Sequence, residues 1–174
     1  MPLFTKRRRI RLSNHRTAQT PVGPIRISAS DWPGVIVAVQ VPQMPIVTVL
    51  PDRELGAMSI EKQPIPCPAP RRRLDPRRAA RTRTALFAGR AYELRHTGLC
   101  TAQLRRDGAV IAEARGSLAD YGPFRTNPGL DATLSWSPWV DPTDVAIGQS
   151  MVVAYGAGAP GGFASLIGFW LDSR

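Results

Sequence analysis

Short β-branched runs, cut apart by proline and glycine, dominate the hydrophobic pattern of this chain. Gly34-Val35-Ile36-Val37-Ala38-Val39-Gln40-Val41 is apolar on both faces, as a buried strand requires. Pro42 and Pro45 interrupt the pattern, and Ile46-Val47-Thr48-Val49-Leu50 resumes it before Pro51-Asp52. A helix could not hold two prolines in its middle at reasonable cost, so both runs are expected as strands. Leu99–Arg105 and Val110–Ala114 flank Arg106-Asp107-Gly108, where Asp-Gly signals a hairpin. Ala132–Trp136, Gln149–Tyr155 and Phe163–Leu171 complete the expected strands, with turns at Tyr121-Gly122-Pro123 and Asn127-Pro128-Gly129.

Two stretches are ambiguous on pattern alone. Asp75-Pro76 is a good helix start, an N-cap followed by proline at the first helical position. Ala80, Thr84, Phe87, Ala91 and Leu94 then recur at helical spacing, and Gly98 would end the helix. Strands at Thr82–Ala88 and Arg90–His96, bent at Gly89, compete with that reading, and a short helix over part of the stretch is the expectation. The second stretch, Val145 to Leu171, carries no charge. Gly156, Gly158, Pro160, Gly161 and Gly162 divide it into halves too short to cross a bilayer, so two buried strands joined by a loop are expected. Gly156-Ala157-Gly158-Ala159-Pro160-Gly161 matches a dinucleotide fingerprint in letters only. Too little chain follows it for the helix and distant acid of a βαβ unit.

The expected fold is mainly β. It is a small β-sandwich or barrel-like domain with an extended basic, proline-rich N-terminal arm and at most one short helix. Residues 1–30 form the arm, 31–60 a strand pair, 61–83 a Pro-rich and Arg-rich linker, and 84–174 the β-domain. The linker begins with Gln63-Pro64-Ile65-Pro66-Cys67-Pro68-Ala69-Pro70, whose alternating prolines favour a stiff polyproline-like spacer. With 174 residues and 43% hydrophobic composition, the chain has enough apolar material for a true core. Its 17 prolines are nearly twice the usual share of about 5%.

Charge changes the picture because it is unevenly placed. The net charge of +10 resides in two acid-poor stretches. Lys6, Arg7, Arg8, Arg9, Arg11, Arg16 and Arg26 face no acid in residues 1–30, and a second cluster runs from Arg71 to Arg95 against only Asp75 and Glu93. From Asp107 onward three arginines face seven acids. Such segments suit a polyanion or an acidic neighbouring subunit. The preference for arginine over lysine also follows from GC-rich coding, so position rather than residue choice carries the argument.

Candidate chemistry is sparse. Cys67 and Cys100 cannot build a disulfide framework, and with only His15 and His96 there is no zinc-ligand spacing. No nucleophile elbow or paired carboxylates point to catalysis, and Asp141-Pro142-Thr143-Asp144 reads as a turn rather than a cation site. A non-enzyme without cofactor, metal ligand or catalytic residue is expected. The candidate contacts with polyanions or subunits are Lys6, Arg7, Arg8, Arg9, Arg11, Arg16, Arg71, Arg72, Arg73, Arg77, Arg78, Arg81 and Arg83. Trp136 and Trp139 are candidate aromatic contacts, a shelf on which a base, sugar or proline-rich peptide stacks.

These features favour a structural or assembly protein of a large particle, of the virion or phage type. Its partners would be other copies of itself, neighbouring structural subunits and nucleic acid. The competing expectation is a nucleic-acid-binding module, for instance a ribosome-associated protein, using the arginine clusters on phosphates. Met1 to Ile10 has charge without an apolar run behind it, so a secretory signal is not expected. Location in a virion or a cytoplasmic assembly is expected, without a membrane partner.

Overall fold

The computed structural model describes residues 14–30, 35–52, 55–68, 82–116 and 132–158. They form a mainly β structure of two antiparallel sheets and one helix. The first sheet joins β1 (Asn14–Thr20), β2 (Gly23–Ser30), β3 (Ile36–Gln40), β4 (Val47–Leu50), β5 (Ala57–Ile60) and β6 (Gln63–Pro64) in chain order. The second contains β7 (Arg83–Phe87), β8 (Arg90–His96), β9 (Thr101–Arg106), β10 (Ala109–Arg115) and β11 (Thr133–Trp136), also in chain order. Every strand therefore pairs with its neighbour in sequence, which short tight connections allow in antiparallel sheets. The sheets meet where the Leu86 N–H donates to the Pro66 carbonyl at 3.0 Å.

The strands expected around Val37 and Val47 are present as β3 and β4, and the hairpin around Asp107-Gly108 as β9 and β10. Asp107 and Gly108 both take positive φ, the geometry that matches the twist of a two-residue hairpin. Glu61-Lys62 and Ala88-Gly89 do the same at the β5–β6 and β7–β8 connections. The first of these turns has no glycine, and the second has it only at its second position.

Four regions depart from the sequence reading. Residues 14–30, expected as the distal part of an extended arm, are the first hairpin of the six-stranded sheet. Their alternation of Ile25, Ile27 and Ala29 places one apolar face inward. The short helix expected over part of 76–96 is replaced, within the described residues 82–96, by β7 and β8. Tyr92 and Leu94 are both fully buried while Ala91 between Arg90 and Tyr92 is exposed, so the operative period is two, not 3.6. Gln63–Pro64 pairs with β5, and the Ile65 N–H donates to the Met58 carbonyl at 2.9 Å. The start of the proline-rich linker is thus hydrogen-bonded into a sheet margin.

The largest correction is at 142–155. Gln149–Tyr155 was expected as a strand, yet α1 (Pro142–Tyr155) is a helix. Asp141 is its N-cap, Pro142 starts it, and the side chains of Asp141 and Asp144 each accept from the other's backbone N–H. Every residue from Asp144 to Tyr155 is buried. The helix touches β3, β4 and β5 of one sheet and β7, β8 and β10 of the other, so it has no solvent face and needs no polar stripe. Gly148 makes this close approach feasible: a Cβ there would lie 2.1 Å from Leu104 Cδ2 and 3.1 Å from Trp136 Cη2. The expected strand Phe163–Leu171 and the turns at 121–123 and 127–129 lie outside the described residues.

Candidate functional site

The densest polar constellation among the described residues surrounds the N-terminus of α1. Asp144 is fully buried at the first turn, where the helix dipole and free backbone N–H groups favour a carboxylate. β8 and β9 bring Arg90, Tyr92 and Arg106 to it. Arg90 Nη1 donates to Asp141 Oδ2 at 2.5 Å and to Asp144 Oδ1 at 3.2 Å, and the Tyr92 hydroxyl donates to Asp144 Oδ1 at 3.0 Å. Arg106 Nη1 donates to Asp144 Oδ2, and its guanidinium lies 5.0 Å from the Trp139 ring centroid. With the Asp141 N–H at 3.2 Å, four donors converge on one carboxylate. A buried carboxylate needs such partners, because leaving a charge unpaired in the interior is strongly unfavourable.

Electrostatics follow from this geometry. Burial opposes ionisation of Asp141, but the Asp144 backbone N–H and the Arg90 guanidinium outweigh it and hold the carboxyl below its usual range. Hydrogen bonds to Asp141 and Asp144, respectively, raise the already high pKa of Arg90 and Arg106. Burial pushes the Tyr92 hydroxyl up, so it remains a donor. The positions a cation would take beside Asp141 and Asp144 are occupied by guanidinium groups, and the cluster is built to hold a helix against a sheet. The motif read as a turn is instead this helix start.

A second, smaller group sits at the other end of the helix. The Tyr155 hydroxyl donates to the Gly56 carbonyl at 2.8 Å, and the Arg83 guanidinium lies 5.2 Å from the Tyr155 ring centroid. Burial raises the pKa of both the Tyr155 hydroxyl and the neighbouring Cys67 thiol. Cys67 and Cys100 are not joined by a disulfide.

Of the contact residues expected from sequence, Arg16 is exposed on β1 and Arg83 lies on β7, in different sheets. Lys6, Arg7, Arg8, Arg9, Arg11, Arg71, Arg72, Arg73, Arg77, Arg78 and Arg81 lie outside the described residues. Trp136 packs towards Gly148 at the core, whereas Trp139 is half-exposed over Arg106. The literal glycine motif beginning at Gly156 follows a helix, the reverse of the strand-then-loop order that a dinucleotide site needs. No helix among the described residues is long and apolar enough to cross a membrane, and no group of His, Cys, Asp or Glu among them is arranged to hold a metal ion.

Sequence reasoning missed Arg90, Tyr92 and Arg106 as partners of the Asp141–Asp144 pair. The signal was available in part, because Asp141-Pro142 repeats the N-cap-then-proline helix start seen at Asp75-Pro76. Compared with protein-family models, curated proteins and solved structures, the chain matches none.

Proposed function

We propose that this chain is a non-enzymatic structural or assembly protein of a large particle, of the virion or phage type. In this reading a sandwich- or barrel-like β body carries basic, proline-rich arms that contact neighbouring copies, other structural subunits or packaged nucleic acid. One observation carries the reading: both arginine clusters join the body at sheet margins. Lys6–Arg11 leads into β1, the outer strand of the six-stranded sheet, and Arg71–Arg81 connects the margin strand β6 to the margin strand β7. The ionisable groups at the start of α1 lend support, since the buried Asp144 and the partly exposed Asp141 are both engaged by arginines in holding α1.

The test is the mass of the purified full-length protein by light scattering, with and without nucleic acid, over a salt series. Discrete oligomers that persist at high salt are expected. A monomer that gains mass only with nucleic acid at low salt, with a log–log slope near one per phosphate contact, replaces this reading with a nucleic-acid-binding module.

A further inference from the structure

We infer that β1 is a self-pairing edge, through which two copies join antiparallel about a twofold axis at Thr17. The inference rests on the assembly reading and names the surface by which copies would meet. Sheet margins are normally shortened, interrupted by proline, charged or covered, because an open row of N–H and C=O groups pairs with any available strand, and β1 uses only the single charge of Arg16, opposite Ile27. The other margins here follow that rule. β6 has two residues, one of them Pro64, and the chain beyond it bonds to β7 through Pro66. β11 has four residues and is followed by Ser137-Pro138. β1 has seven residues, no proline and one charged side chain, and among the described residues it pairs only with β2.

The register fixes which groups face outward. Gln19 lies opposite Pro24, which has no N–H, so this is a non-bonded pair of the ladder. By alternation Ala18 and Arg16 bond to Ile25 and Ile27, while Thr17 and Gln19 turn their backbone groups away from β2. An antiparallel pairing centred on Thr17 sets the outward residues of one copy against those of the other over the whole strand, giving about six hydrogen bonds. In that register Arg16 lies opposite Ala18 of the partner subunit. Sliding the strands towards their starts puts Arg16 against its own copy, a like-charge pair that is unfavourable. Sliding the other way shortens the overlap. The strands run in opposite directions, so the basic segments before Asn14 leave at opposite ends, separated by about 23 Å of strand and so beyond the roughly 8 Å screening length.

Two measurements on the full-length protein decide it. Thr17→Pro removes an outward N–H at a position where an edge strand tolerates proline. The wild type is expected to scatter as an even-numbered oligomer at high salt, and Thr17→Pro to halve that mass while keeping the wild-type circular dichroism. Independently, Thr17→Cys in a Cys67→Ser, Cys100→Ser background should give a cross-linked dimer with a short bismaleimide. Thr48→Cys, exposed on β4, should not. If folded Thr17→Pro keeps the wild-type mass, or Thr17→Cys cross-links no better than Thr48→Cys, pairing through β1 is wrong while assembly through another surface stands. A wild type that is monomeric at every salt concentration overturns both. If Thr17→Pro does not fold, the cross-linking result alone decides.

Discussion

Asp144 holds two guanidinium groups and a phenol on a carboxylate that water does not reach. Asp144→Asn keeps the shape but removes the charge, leaving Arg90 and Arg106 facing a weaker acceptor. Breaking a buried pair on one side commonly costs 3–5 kcal/mol. Both arginines are about a quarter to a third exposed and can rehydrate, so the low end, about 3 kcal/mol, is expected in urea unfolding. Asp141 gives the pH dependence. Its pKa is lowered on folding, so its contribution is present above the unfolded value of about 3.9 and is lost as pH falls through the folded value. The melting temperature should therefore drop below about pH 4, and Asp141→Asn should flatten that drop. At this scale the sequence was legible only in part. Asp141 and Asp144 were visible as a pair three residues apart, but their arginines come from two strands more than thirty residues earlier, and no local pattern links them.

At the scale of elements, hydrophobic pattern served the strands better than the helix. β3 and β4 were legible as β-branched runs bounded by proline, and β9 and β10 from the Asp-Gly turn between them. The β7–β8 turn was obscured because its first left-handed residue is Ala88, outside the usual turn chemistry. Residues 145–154 carry no charge and are buried on every side, so periodicity could not tell a central helix from a buried strand; only the cap could. Gly148→Ala tests how tightly this helix is seated. The new methyl group would meet the fully buried Leu104, and overpacking of this kind costs about 1–3 kcal/mol. Thermal denaturation should show that loss, and adding Leu104→Ala should recover part of the penalty of Gly148→Ala, in a double-mutant cycle.

For the whole molecule, one helix supplies apolar contacts to both sheets, so neither sheet has a complete core alone. Unfolding should be a single cooperative transition. Amide exchange in β3 and in β9 should reach the same protection limit, and Gly148→Ala should lower both together. Two sheets that melt separately would contradict this. The sequence conveyed the β character and the succession of neighbouring strands, but not that one segment would unite them. Nor did the count of seven acids against three arginines from Asp107 onward show that Asp144, which is buried, and Asp141, which is partly exposed, are paired with Arg90 and Arg106 of the preceding strands.

The central helix is the last described element in the chain, after all eleven strands. During synthesis, therefore, the ribosome delivers both sheets before the segment that covers their inner faces. Until residues 142–155 emerge, Val37, Val39, Val49, Tyr92, Leu94 and Leu104 have no helix to pack against. The nascent chain must wait with its apolar faces uncovered, at the stage when margin strands are also most exposed to wrong partners. Messages stalled before codon 142 should yield products that chaperones retain and proteases remove, while those completed past Tyr155 escape both.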